Sequence, residues 1–139
     1  TQAVLVTPEL VATTAVPIIP TFTKQALKLK PGAKFSGTFS GGDFIFRIGQ
    51  TGNEVVPKSI NIRKADCKEG GKMSDLLAFD PPPSFAIENG QFTITRDKQV
   101  YMTGMFLSET QARGSIELHV MQKGKTCSIG PTTWIATIE

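Results

Sequence analysis

From Lys34 onward, apolar residues recur at every second position in short runs separated by Gly, Pro, Asn and Asp. A period of two marks strands with one buried face, so antiparallel β-structure is predicted for this whole stretch. Lys34 to Phe39 and Asp43 to Ile48 read as two strands linked by Ser40-Gly41-Gly42, with Phe35, Phe39, Phe44 and Phe46 as candidate core aromatics. Ser59 to Lys64 sets Ile60 and Ile62 against polar neighbours. Phe85 to Glu88 and Gln91 to Arg96 flank Asn89-Gly90, two residues that tolerate the positive φ of a tight hairpin turn. Val100 to Leu107 and Arg113 to Met121 follow, the latter with Ile116, Leu118 and Val120 in one phase and Glu117, His119 and Met121 in the other; Thr132 to Ile138 closes the series. Only Lys72 to Ala78 has helical spacing, through Met73, Leu76 and Leu77, and one turn is predicted there before Pro81-Pro82-Pro83. About eight strands with regular turn signals predict an all-β fold, an antiparallel two-sheet β-sandwich of jelly-roll or immunoglobulin-like type with little helix.

The first 31 residues break this pattern. Thr, Val, Ala and Ile dominate, Pro8, Pro17, Pro20 and Pro31 interrupt any helix, and Glu9 is the one charge before Thr21. Residues 1–31 therefore read as an extended apolar arm or edge strands, and 32–139 as the β-sandwich domain. Val4, Leu5, Val6, Val11, Val16, Ile18 and Ile19 are its candidate assembly residues: an uncharged β-branched arm gains both ladder hydrogen bonds and apolar burial by adding to a sheet edge. Folding back onto its own sheet and pairing with another molecule are both open.

Composition narrows the class. A chain of 139 residues, 40% hydrophobic and 19% charged, is the size and make-up of one globular domain. The formal charge of +3 comes from scattered rather than clustered Lys and Arg, so no nucleic-acid partner is expected. No apolar run reaches the roughly 18 residues of a membrane span. The first residue is Thr, and the reading is of a mature protein after removal of a signal peptide, secreted or held at the cell surface.

Few residues offer chemistry. Cys67 and Cys127 lie too far apart in sequence for a CxxC motif, and in a secreted chain a long-range disulfide is the expected state, against free buried thiols or a nucleophile. His119 is the single histidine, on the polar phase of its strand, so any Ser-His or Cys-His arrangement would have to use this one ring. One His and two cysteines are too few nitrogen and sulfur ligands for zinc or copper. Asp66, Glu69, Asp75 and Asp80 are oxygen donors in turn-rich sequence, yet they match no EF-hand, and solvated loop charges are the expectation. The glycines from Gly37 to Gly52 lack phosphate-loop spacing and read as hairpin and bulge positions. Trp134 is expected to pack in the core near the disulfide rather than serve as a sugar-stacking platform.

Several short motifs occur in order: Phe35-Ser36-Gly37-Thr38-Phe39, then Cys67, Ile87-Glu88-Asn89-Gly90-Gln91-Phe92, Gly104-Met105-Phe106, Ala112-Arg113-Gly114-Ser115-Ile116, and Cys127-Ser128-Ile129-Gly130 followed by Trp134-Ile135-Ala136. Together, over residues 33 to 138, they resemble a broad set of secreted bacterial β-sandwich domains, common in actinobacteria and related groups. The resemblance implies a one-disulfide sandwich exported from a bacterium. Most such domains lack an assigned activity, so no catalytic or binding residue is carried over. The function expected is that of a secreted, non-enzymatic structural or adhesive protein, self-assembling through its arm, with copies of itself or another extracellular protein as partner and no cofactor. The alternative is an extracellular carbohydrate- or ligand-binding module, against which a buried Trp134 would count heavily.

Overall fold

The computed structural model describes residues 27–139, so the arm residues Val4, Leu5, Val6, Val11, Val16, Ile18 and Ile19 lie outside the described residues. Among those described, every regular element is a strand: β1 (Lys34–Phe39), β2 (Gly42–Ile48), β3 (Glu54–Cys67), β4 (Lys72–Ala78), β5 (Phe85–Ala86), β6 (Gln91–Arg96), β7 (Val100–Phe106), β8 (Gln111–Gln122) and β9 (Lys125–Ile138). All pairings are antiparallel, and one continuous ladder runs β4-β3-β2-β1-β9-β8-β7-β6.

The all-β prediction holds, and the two-sheet sandwich gives way to a single sheet rolled toward a small barrel. No break in the ladder separates two sheets. The roll brings together rings from strands that are not neighbours in the ladder: Phe46 on β2 lies 5.6 Å from Phe92 on β6, and Phe35 on β1 lies 5.5 Å from Phe106 on β7, between centroids. At the seam, Arg96 of β6 donates from Nη1 to the carbonyl of Ala78 at 3.0 Å, and its guanidinium sits 5.3 Å from the ring centroid of Phe79. Alternation along a strand reports one buried face but not whether the ladder is cut or curled. Curling comes from bulges, which raise local twist, at Ile45/Phe46, Ile62/Ala65 and Ile116/Leu118.

Four expectations change in detail. The helical turn at Lys72–Ala78 is instead strand β4. Met73 and Leu77 are four apart, a spacing that shares a face in a helix and in a strand alike, and both are buried; Leu76, which only a helix would bury with them, is 59% exposed. β3 and β9 are far longer than the segments read from the sequence, each running through a proline, with Pro57 at the Ile45/Phe46 bulge and Pro131 opposite the Ile116/Leu118 bulge. Asn89 and Gly90 do take φ of 54° and 75°, but only Glu88 and Gln91 pair across that turn, and Phe85–Ala86 joins Val55 and Glu54 of β3 instead. Among the described residues the strands number nine, where about eight were expected.

The core is built by register. One inward row reads Ile62, Gly42, Phe39, Trp134, Gly114, Gly104, Phe92 from β3 to β6. The next reads Ile60, Phe44, Gly37, Ala136, Ala112, Phe106 from β3 to β7. Large rings thus face glycine or alanine on neighbouring strands. A Cβ added at Gly37 would overlap the Phe44 ring, and one at Gly104 would overlap Phe92 and come within 2.7 Å of Trp134 Cζ2. Trp134 is 1% exposed, as expected for the core, but its ring meets Phe44 edge-on at 5.0 Å and Phe92 at 6.2 Å, seven residues along β9 from Cys127. Its indole N–H is satisfied by two carbonyls, Thr103 at 3.1 Å and Ser115 at 3.0 Å.

Because Phe44 is stacked on both Phe39 and Phe46, it cannot swing aside for a methyl group. Gly37→Ala is expected to cost about 1–3 kcal/mol, the usual penalty for overpacking. Urea denaturation beside the exposed control Thr38→Ala measures it.

Candidate functional site

The β1–β2 hairpin is a wedge between β3 and β9. Past its tip at Ser40-Gly41 the two long strands have no intervening neighbour and pair directly, Asp66 with Ser128 and Cys67 with Cys127. Cys67 and Cys127 form a disulfide at this closure, as expected from the sequence. The hairpin tip is tied in as well: the Gly41 carbonyl accepts from Arg63 N at 2.8 Å and Lys64 N at 3.1 Å. Glu69, in the turn after β3, accepts from Thr126 N at 2.9 Å, which holds its carboxyl below the ordinary value of 4.5. The closure is a structural clasp, and its sulfurs are spent in the bond.

The remaining titratable candidates are scattered. His119 is exposed on β8, its Nε2 2.7 Å from the carboxylate of Glu117, and its register partner on β9 is Ser128. Of the four carboxylates expected in loops, Asp66 and Asp75 stand on β3 and β4 instead: Asp66 pairs with Lys72 and Asp75 accepts from Leu76 N at 2.8 Å, while Glu69 in its turn is taken by Thr126. Among the described residues, no three His, Cys, Asp or Glu side chains gather into a cation site, and no helix is long and apolar enough to cross a membrane. Trp134 offers no exposed ring; Tyr101, 53% exposed, stands singly on β7.

Two features were not read from the sequence. The first is the free edge of β6. Its ladder with β7 uses the main-chain groups of Phe92, Ile94 and Arg96, so those of Thr93 and Thr95 point away from β7 toward no described strand. A trough runs along the head of this edge, lined by Phe85, Ala86, Glu88, Asn89, Phe92 and Thr93. Leu27, the first described residue, stands at the same place: a Cβ on Gly90 would lie 3.8 Å from its Cδ1. The second is a shallow cleft on the outer face of β7, β8 and β9, over the paired glycines Gly104 and Gly114.

No family model, curated protein or solved structure matches this chain.

Reduction of the Cys67–Cys127 bond is expected to lower stability by about 2–4 kcal/mol, the usual range for a long loop, read from urea midpoints with and without reductant. A second expectation concerns acid. The carboxylate of Glu69 is favoured in the folded state, so its contribution is complete above the ordinary carboxyl range and is lost as pH falls through the lowered folded value. Glu69→Gln, whose amide oxygen still accepts from Thr126, is expected to narrow the difference in melting temperature between pH 6 and pH 3, followed by circular dichroism.

Proposed function

We propose that this protein is a secreted, non-enzymatic structural or adhesive β-domain of bacterial origin that associates through its N-terminal arm. The observation that carries the reading is the coincidence of three things at one place: the open β6 edge, the trough beside it, and the point where the chain enters the described domain at Leu27. A sheet edge with unpaired main-chain groups is a template for one more strand. The arm carries suitable sequence, β-branched and nearly uncharged through Val4, Leu5, Val6, Val11, Val16, Ile18 and Ile19. Its length argues for a partner beyond its own molecule. A strand rises about 3.3 Å per residue, so a six-residue edge has room for only part of this apolar sequence, and a neighbouring molecule would offer cover for the rest. Copies of the same chain or another extracellular protein fit this role.

A disulfide clasp is in keeping with an oxidising compartment and with the expectation of a bacterial one-disulfide β-domain. The burial of Trp134 weighs against a carbohydrate module built on ring stacking. Light scattering and negative-stain microscopy of the full chain beside a version lacking Thr1 to Pro20 test the proposal. Association of the full chain with a monomeric truncation is the expected result; two folded monomers would rule the proposal out.

A further inference from the structure

We propose that Thr21 to Gln25, which lie outside the described residues, pair with β6 of the same molecule as an antiparallel strand, Phe22 opposite Ile94, and so fill the open edge from within the chain. The proposal concerns the edge on which the association reading draws but does not need assembly, since a chain lacking Thr1 to Pro20 keeps the segment. Leu27 stands at the head of β6, where a Cβ on Gly90 would lie 3.8 Å from its Cδ1. β6 runs away from that point, from Gln91 to Arg96, so the residues just before Leu27 meet the edge in the opposite direction, the sense of an antiparallel neighbour. The main-chain groups that face away from β7 toward no described partner are those of Thr93 and Thr95, because Gln91 is already bonded to Glu88 across the turn.

The residue pattern sets the register. Thr21, Thr23 and Gln25 alternate with Phe22, Lys24 and Ala26, just as exposed Gln91, Thr93 and Thr95 alternate with buried Phe92 and Ile94. Matching the two phases with Leu27 kept beside Gly90 leaves Phe22 opposite either Ile94 or Arg96. The Arg96 register would set Lys24 against buried Ile94. The Ile94 register sets Thr23 opposite Thr93 and Thr21 opposite Thr95, each pair exchanging both main-chain bonds, and adds Thr23 to the outward hydroxyl row of Thr93, Thr103, Ser115 and Thr133. Lys24 then comes opposite Phe92 over the trough, whose one charged lining residue is Glu88; its stem can cover the ring while the ammonium reaches the carboxylate. Phe22 falls on the inward phase beside Ile94. Pro20 comes opposite Arg96, whose main-chain groups are spent on β7, so the N–H that proline lacks is not needed there. Pro20 thereby divides the arm: the segment after it stays on its own sheet, and the apolar blocks before it leave the edge at the Arg96 end, where a neighbour can take them.

Thr23→Cys combined with Thr93→Cys in the full chain tests the register, because Cα atoms of such a pair lie about 5.5 Å apart, a separation that a disulfide spans. Air oxidation is expected to close this bond within single chains, identified by peptide mass mapping without reductant, with Cys67–Cys127 intact. Thr21→Cys combined with Thr93→Cys, one repeat out of register, is expected to close at least about tenfold less. In the unsubstituted full chain, hydrogen exchange at the Thr93 and Thr95 amides is expected to be at least about 100-fold slower than at an open edge, and Phe22→Asp to remove that protection while the Phe92 and Ile94 amides keep theirs. A bond between two chains, no bond, equal closure by the out-of-register pair, or Thr93 and Thr95 amides that exchange as at an open edge would each overturn the proposal. Closure within chains that do not associate would uphold it and remove the association reading alone; association without closure would do the reverse.

Discussion

The core depends on one steric condition: in its two widest inward rows a ring has, on at least one neighbouring strand, a residue with no side chain or only a methyl group, while Phe35 and Phe46 stack directly across β1 and β2. Nine strands curled this tightly enclose too little width for aromatics at every inward position. Phe44 lies over Gly37, Phe92 over Gly104, and Trp134 between Phe39 and Gly114. Glycine weakens an isolated strand through its backbone entropy and its missing contact area. Here a cross-strand ring covers the bare backbone and recovers that area, an arrangement also used to stabilise glycine-bearing strands in designed sheets. The same condition gives Trp134 its polar contacts, since only beside Gly114 and Gly104 does the indole reach the carbonyls of Thr103 and Ser115.

Closure follows from lengths. β1 and β2 have six and seven residues, while β3 and β9 on either side of them have fourteen each. The long strands therefore outrun the wedge and meet, and the Gly41 carbonyl and the disulfide hold that junction on its two sides. A wedge open at one end and pinned at the other forces the sheet to coil instead of lying flat. The disulfide acts on the shape of the sheet as well as on the entropy of the unfolded chain.

The strands and their buried faces were legible because each alternates cleanly; β2, β6 and β7 were read nearly to the residue. Architecture was less legible. Period-two patterning describes each strand against an interior, and the same pattern serves a sandwich and a roll, while the bulges that distinguish them depend on pairing partners that sequence does not name. Lys72–Ala78 failed for a narrower reason, since Met73 and Leu77 fit both periods. The clasp was partly legible: the pairing of Cys67 with Cys127 followed from count and compartment, its position beyond a hairpin tip did not. The β6 edge was hidden by the clearest turn in the chain. Asn89-Gly90 specifies a reversal and says nothing of how long the two arms stay paired, so β5 was free to leave for β3.

The two halves of the rolled sheet present different surfaces, and the difference bears on where a partner can sit. The Lys and Arg ion pairs, Asp43–Arg63, Asp66–Lys72 and Lys34–Glu139, all involve β1 to β4 or the chain end beside β1, and β8 carries the His119–Glu117 contact. On β6 to β9 the outward row Thr93, Thr103, Ser115, Thr133 is hydroxyl-bearing, with Thr103 and Ser115 in contact at 3.0 Å. Among the described residues, five of the seven large exposed apolar side chains, Tyr101, Met105, Leu107, Met121 and Ile135, lie on or next to β7, β8 and β9. Covering a charged pair removes two hydrated ions from water, at a cost their mutual attraction seldom recovers. Covering hydroxyls that already bond one another, together with aliphatic groups, removes little hydration and gains apolar burial. Association is thus least opposed on the β6–β9 side, and this is the side that holds both the open edge and the cleft.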